Sequence, residues 1–282
     1  MKTITRNKVI TAVLTVITAL VLIIMLSNGI KAEAATYTDT EPNNTYNDAQ
    51  AISRNTQTPM QFHSSRSNNY RDVTGTLSHD DEDWYSVYLY SDDENYLDLN
   101  SGYGTIIVSV YRSSDIDNPI DEYEFQKYGT EIVEVNVPTD GVYYLRVHHT
   151  VVSRDATYTF TIGNPRYYTD VYTYTFNAIT LQPRATWSDT INLGTISGIP
   201  EKAIGYEVSV GGCTTSVSSK RYFYNDFFNN WVSTKSTYNY SLPVTDSSRL
   251  DQTWGAKIIS TSSSSKTFSP NLTIRYIAPY LP

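Results

Sequence analysis

Oxygen-bearing side chains are the densest chemical signal in this chain of 282 residues. Asp39, Glu41, Asn43 and Asn44 lie within one six-residue stretch. In an extended segment, positions 39, 41 and 43 fall on one side. Asp80 and Asp83 bracket a second acid run, Asp80-Asp81-Glu82-Asp83, directly before Trp84-Tyr85. Carboxylate and amide oxygens are the ligands of a hard cation, and Ca²⁺ takes about six to eight of them. A plainer role is open to the same residues. They can be solvated turns, with Asn44 or Thr45 capping a short helix over 46–52. Asp81 or Glu82 can face solvent, and Asp92-Asp93-Glu94 and Asp121-Glu122 read as solvated loops.

Other chemistries find little support. A single cysteine, Cys213, excludes an internal disulfide framework and a multi-cysteine zinc site, and reads as inert. There are four histidines. His148 and His149 are adjacent in a strand pattern, point to opposite faces and cannot easily chelate one metal; His63 and His79 are isolated. The chain has neither a His-Glu-x-x-His nor a Gly-x-Ser-x-Gly motif. With 29 acids against 21 bases, its net charge of −8 argues against a phosphate-binding surface for nucleic acid.

Tyrosine is the second conspicuous residue, 25 against eight phenylalanines. Tyr144, Arg146 and His148 should share one strand face, with Tyr88 and Tyr90 as neighbours. Exposed aromatic rings of this kind stack on sugars or pack against an extended polymer. Equally, tyrosines line strand edges and faces without a ligand.

The elements that position these residues are strands. Tyr85, Val87 and Leu89 alternate with Trp84, Ser86 and Tyr88, and Tyr143, Leu145 and Val147 alternate with Tyr144 and Arg146. Ile106 to Tyr111, Ile132 to Val137 and Tyr158 to Ile162 complete a first set, separated by Gly, Asn, Asp and Pro turns. Asn164-Pro165 ends it. A second set runs through Tyr172 to Ile179, Thr190 to Leu193, Ala203 to Val210, Tyr222 to Phe227, Thr253 to Ile259 and Leu272 to Ile277. Tyr167, Tyr168, Tyr172 and Tyr174 belong to a strand at the junction. Ser260 to Lys266 reads as a linker or a long hairpin loop. Trp187, Trp231 and Trp254 either fill the second core or present a carbohydrate platform. The expected fold is all-β: two antiparallel β-sandwich modules in tandem, over 35–163 and 164–282, after an export segment.

That segment is 1–34. Lys2, Arg6 and Lys8 precede an uncharged, mostly apolar run from Val9 to Leu26, and Ala32-Glu33-Ala34 offers a cleavage site. The chain is therefore expected to be secreted; the alternative is an uncleaved N-terminal anchor with the rest of the chain outside the cytoplasm. Charge divides along the same lines. Residues 36–163 hold 21 acids and seven bases, net −14, whereas residues 164–282 hold seven acids and ten bases, net +3.

Four stretches of the first module resemble, in order, the bacterial pre-peptidase C-terminal domain family. They are Glu41-Pro42-Asn43-Asn44-Thr45 with Ala49 and Ile52, a Gly75-Thr76-Leu77 turn, the acid run into Trp84-Tyr85, and Gly141-Val142-Tyr143-Tyr144-Leu145-Arg146-Val147 followed by Tyr158 to Ile162. The resemblance covers about 39–163 and extends to the collagen-binding domain of clostridial collagenases. It implies a β-sandwich accessory module with structural calcium held by Asp39, Glu41, Asn43, Asn44, Asp80 and Asp83. Asn44 stands where an acid is common in the family. The second module resembles no known family.

These readings point to a secreted, non-catalytic binding protein whose partner is an extracellular polymer, collagen-like or a cell-wall glycan. A surface of Tyr88, Tyr144, Arg146 and His148 would make the contact. One alternative is a secreted hydrolase with its site in the second module, where Asp189, Glu207 and Asp226 are the carboxylates to watch. Another is a structural or secretion-assisting protein.

Overall fold

Alternating sequences become strands where one face can be buried. The computed structural model describes residues 35–66, 69–126, 128–150, 154–213, 219–234 and 239–282; the export segment lies outside them. The first ten strands are β1 (Ala35–Thr38), β2 (Gln50–Ala51), β3 (Arg71–Leu77), β4 (Glu82–Leu89), β5 (Tyr96–Ser101), β6 (Ile106–Arg112), β7 (Asp121–Phe125), β8 (Gly129–Glu134), β9 (Gly141–His149) and β10 (Ala156–Gly163). They form two facing five-stranded sheets, ordered β1-β3-β10-β5-β8 and β2-β4-β9-β6-β7. The short β1 and β2 pair in parallel with β3 and β4. Tyr85, Val87 and Leu89 of β4 meet Val73 and Leu77 of β3 and Tyr158 and Phe160 of β10 in one core. Each fully buried side chain of this size contributes about 1.5–3 kcal/mol.

Two local expectations are corrected. No helix covers 46–52. Residues 45–48 form a turn closed by Asp48 N–H to Thr45 O at 3.0 Å and Thr45 Oγ1 to Asp48 Oδ2 at 2.9 Å. The helix is α1 (Pro59–Ser64), started by a capping box in which Thr58 and Gln61 exchange side-chain and backbone bonds. Gly75 is no turn residue; it lies within β3, directly opposite Tyr158 of β10. A Cβ there would sit 2.2 Å from Tyr158 Oη, so glycine leaves the space that the buried phenol occupies.

The second set comprises β11 (Tyr167–Thr175), β12 (Ile179–Leu181), β13 (Thr186–Asn192), β14 (Ile204–Gly211), β15 (Ser219–Asn225), β16 (Val232–Ser233), β17 (Asn239–Ser241), β18 (Thr253–Ser260), β19 (Lys266–Phe268) and β20 (Asn271–Pro279). Its sheets run β11-β20-β14-β17 and β13-β18-β15-β16, with β12-β19 as a small pair. Trp254 is fully buried and Trp187 packs against the same core. Residues 260–266 are not a hairpin loop, because β18 pairs with β13 and β15 while β19 pairs with β12. The run carries the chain from one sheet to another. Among the described residues, no helix is long and apolar enough to cross a membrane.

The cores divide at 164–166, but the modules are tied there. Asn55 Nδ2 donates to Asn164 O at 2.7 Å, and Asn164 Nδ2 to Gln57 O at 3.1 Å. Lys202 Nζ meets Glu94 Oε1 at 2.5 Å, and Phe62 of α1 packs on Tyr167. Arg166 forks onto both oxygens of the buried Asp98, with Nη2 at 3.0 Å from Oδ1. Burial pushes the Asp98 carboxyl up and Arg166 opposes that shift. Removing the guanidinium strands the carboxylate, so Arg166→Ala should cost about 3 kcal/mol in urea unfolding. An unchanged midpoint would contradict a structural role for this pair.

Candidate metal centre

The site is built at one end of the first sandwich, where residues 39–44 cross from β1 to the start of β4. Asp39 N–H donates to Thr74 O at 2.9 Å, and Asn43 O accepts from Trp84 N–H at 2.8 Å. The crossing segment is thus pinned to both sheets by backbone bonds. Asp83 shares the inward face of β4 with Tyr85 and is fully buried. Alternation along β4 therefore turns one acid of the run into the core end, while Glu82 faces out and binds Arg146 at 2.6 Å.

A chain of short contacts links the two acid groups. Tyr158 Oη lies 2.5 Å from Asp83 Oδ2 and 2.5 Å from Tyr85 Oη, and Tyr85 Oη lies 2.9 Å from Asp39 Oδ1. Asn43 Nδ2 donates to the same Asp39 Oδ1 at 2.7 Å, and Asn43 N–H to Glu41 Oε2 at 3.0 Å. Two phenol protons cannot fill three oxygen–oxygen contacts between ionised carboxylates. A third proton shared within the cluster completes the set. The Asp83 carboxyl is pushed up to about 8, first by desolvation, against the lowering effect of the hydrogen bond from Tyr158, and further by Asp39, Asp81 and Glu41. Burial likewise raises the phenols of Tyr85 and Tyr158, which stay protonated.

Oxygens of Asp39, Glu41 and Asp83 lie within 4.8 Å of one another. Beside them, Asn43 Oδ1 and Asp83 Oδ1 are buried without a hydrogen-bond partner. Orphaned buried oxygens are costly unless something supplies positive charge or a donor. The donor set is oxygen alone, which suits Ca²⁺. Of the residues anticipated as ligands, the structure gathers Asp39, Glu41, Asn43 and Asp83. Asn44 Nδ2 instead donates to Asp81 Oδ1 at 3.2 Å, and Asp80 sits in a left-handed turn, paired with His79 at 2.7 Å. Asp81 also accepts from Ser78 N–H and closes that turn. Tyr85 and Tyr158, which hold the acids in place, are the functional residues that the acid pattern alone does not reveal. Inward alternation on β4 and β10 is the signal for them, and Tyr158 lies opposite Gly75.

The candidate polymer surface lies on the outer face of the β4-β9-β6 sheet. Tyr144, Arg146 and His148 alternate along β9, and Tyr88 pairs with Val142 beside them. Tyr144 stacks edge-on with Tyr46 at 6.2 Å, and Trp84 packs on Tyr111 at 5.2 Å. Tyr88 and Tyr90 are its most exposed rings, 48% and 43%, with ring centroids 5.0 Å apart. Arg146 is engaged by Glu82, and burial, then Arg146, holds the half-buried His148 imidazole below its usual range. Cys213 is half-buried, and burial raises its thiol.

The fold resembles that of a "putative secreted protein" from Eubacterium rectale, over 89% of this chain and 88% of the other, with a TM-score of 0.55 and 13% identity. The pre-peptidase C-terminal domain of a collagenase from Bacillus anthracis aligns with 44% of this chain and 99% of its own length, at 20% identity and a TM-score of 0.32. No protein-family model and no curated protein matches the chain.

The proton on Asp83 has a measurable consequence. A carboxyl raised from about 3.8 to about 8 holds more protons in the folded than in the unfolded chain between those values. Its contribution to stability is present below about pH 4 and is lost as pH rises through about 8. In chelator, the wild type should lose melting temperature across that window relative to Asp83→Asn, whose amide cannot ionise. Parallel pH profiles for the two proteins would contradict a raised Asp83.

Proposed function

We propose that this chain is an exported, non-catalytic accessory protein whose first module is stiffened by calcium and contacts an extracellular polymer. The observation that carries this reading is the convergence of Asp39, Glu41 and Asp83 beside two orphaned buried oxygens. Calcium would supply the missing positive charge and hold Asp83 ionised. Pinning residues 39–43 against Asp83 would lock the crossing segment to both sheets, a structural role with no reaction step in it. The resemblance of the first module to the pre-peptidase C-terminal family supports the same reading. The surface of Tyr88, Tyr144, Arg146 and His148 supplies the contact, with Tyr88 and Tyr90 as its exposed rings.

A non-catalytic second module accords with how its carboxylates are used. Glu207 is paired with Arg275 at 3.2 Å, Asp226 accepts from Thr253 N–H at 2.8 Å, and Asp189 accepts from its neighbour Thr190 N–H at 2.8 Å. Asp189 lies on β13 and Glu207 on β14, in different sheets, and Asp226 directly follows β15.

Calcium at about one hundred times its dissociation constant stabilises by about 2.7 kcal/mol. For a chain of this size that is about 5 °C or more in melting temperature. Millimolar calcium should produce this rise over chelator in the wild type and little rise in Asp83→Asn or Glu41→Gln. An unchanged wild-type melting temperature would remove calcium from the account. Retention on insoluble collagen or on peptidoglycan, weakened by Tyr88→Ala with Tyr144→Ala, tests the polymer contact. No retention on either matrix would remove it.

A further inference from the structure

Three aromatic rings of the second module lie outside its core. On β15, Phe223 points inward with Trp254 and Ala256 of β18, and these fill the space between the sheets. Tyr222 and Tyr224 alternate to the opposite, outer face, where Tyr222 is paired with Lys257 and Tyr224 with Gly255. Trp231, just before β16, folds over that face. A Cβ on Gly255 would lie 3.0 Å from Trp231 Cη2, so the glycine provides the seat for the indole. The Trp231 and Tyr224 ring centroids are 5.7 Å apart. All three rings are half-buried, and Phe227 beyond them is 58% exposed.

A cation is set among these rings. Lys257 Nζ lies 5.3 Å from the Tyr222 centroid and 5.6 Å from that of Trp231. Two aromatic faces hold the ammonium in place without neutralising it. Lys220 projects from the same face of β15, two residues before Tyr222, and is exposed. Among the described residues, neither lysine has a carboxylate partner. At the far end, Tyr224 Oη donates to Asp226 Oδ1 and to Asn229 Oδ1, each at 3.3 Å, so polar groups border the rings there.

We propose that this face binds an acidic polysaccharide, a chain of sugars bearing carboxylates. Sugar rings offer apolar C–H faces that pack on Tyr224 and Trp231, and hydroxyls that reach Asp226 and Asn229. A uronate carboxylate pairs with Lys257, with Lys220 as the second cation along the strand. Charge complementarity selects this occupant. The second module carries net +3 and the first net −14, so an anionic chain is repelled by the first module and received by the second. The site lies on a different module from the polymer surface proposed above and does not depend on calcium.

The test is affinity electrophoresis of the full chain through gels containing polygalacturonate or, as the neutral control, dextran. The wild type should be retarded by polygalacturonate, less so as salt is raised, and should run freely in dextran. Trp231→Ala and Lys257→Met should each weaken binding about tenfold or more, and Lys257→Arg should largely keep it. Melting curves identify any variant that has lost its fold, and Lys257→Met, at a surface position, carries the test if Trp231→Ala does. Chelator, Asp83→Asn and Tyr88→Ala should leave this retardation unchanged, so failure of the calcium or first-module readings is separable from failure here. No retardation of the wild type, equal retardation in dextran, or folded variants that match the wild type would each overturn the proposal.

Discussion

The contact chain from Asp83 through Tyr158 and Tyr85 to Asp39 is the constraint around which the first module is arranged. It joins three segments that are distant in sequence: the crossing segment at Asp39, the start of β4 at Asp83 and Tyr85, and β10 at Tyr158. Each link depends on the packing beneath it. Tyr158 reaches Asp83 because Gly75 has no side chain, and Tyr85 reaches Asp39 because a backbone bond from Asp39 to Thr74 and one from Trp84 to Asn43 hold residues 39–43 in place. A buried carboxylate at the head of such a chain is unfavourable when ionised. The protein meets that cost with a proton held up to about pH 8.

The same physical logic separates the two modules. The first concentrates acids at one end and buries one of them. The second scatters its few carboxylates into ion pairs and turn caps, and sets Lys257 among aromatic rings. The bidentate contact of Arg166 with Asp98 and the pair of Lys202 with Glu94 join the oppositely charged modules across their junction.

Much of this was legible from the residues, and the gaps have physical causes. Period-two alternation located most strands and the core of the first sandwich. It also contained the fate of Asp83, which shares the parity of Tyr85, Val87 and Leu89, but an acid run read as a block conceals which member turns inward. Gly75 read as a turn because its partner Tyr158 is 83 positions away in the chain. The helix was misplaced because the Thr58-Pro59-x-Gln61 capping signal is brief and lies between stretches without helical periodicity. Trp187, Trp231 and Trp254 could not be ranked from sequence. Position on the sheet, with Trp254 inside and Trp231 against a glycine on the outer face, tells them apart. Convergence of Asp39 and Glu41 on Asp83 depends on the path of the crossing segment, which no local pattern encodes.

The most direct measurement is a crystal structure of the protein grown with calcium and collected for anomalous signal. The account predicts a peak bounded by Asp39, Glu41, Asn43 and Asp83, with oxygens about 2.3–2.6 Å away and Asn43 Oδ1 and Asp83 Oδ1 among them. A site filled by water alone at millimolar calcium, with Asp83 Oδ1 still unpartnered, would contradict it.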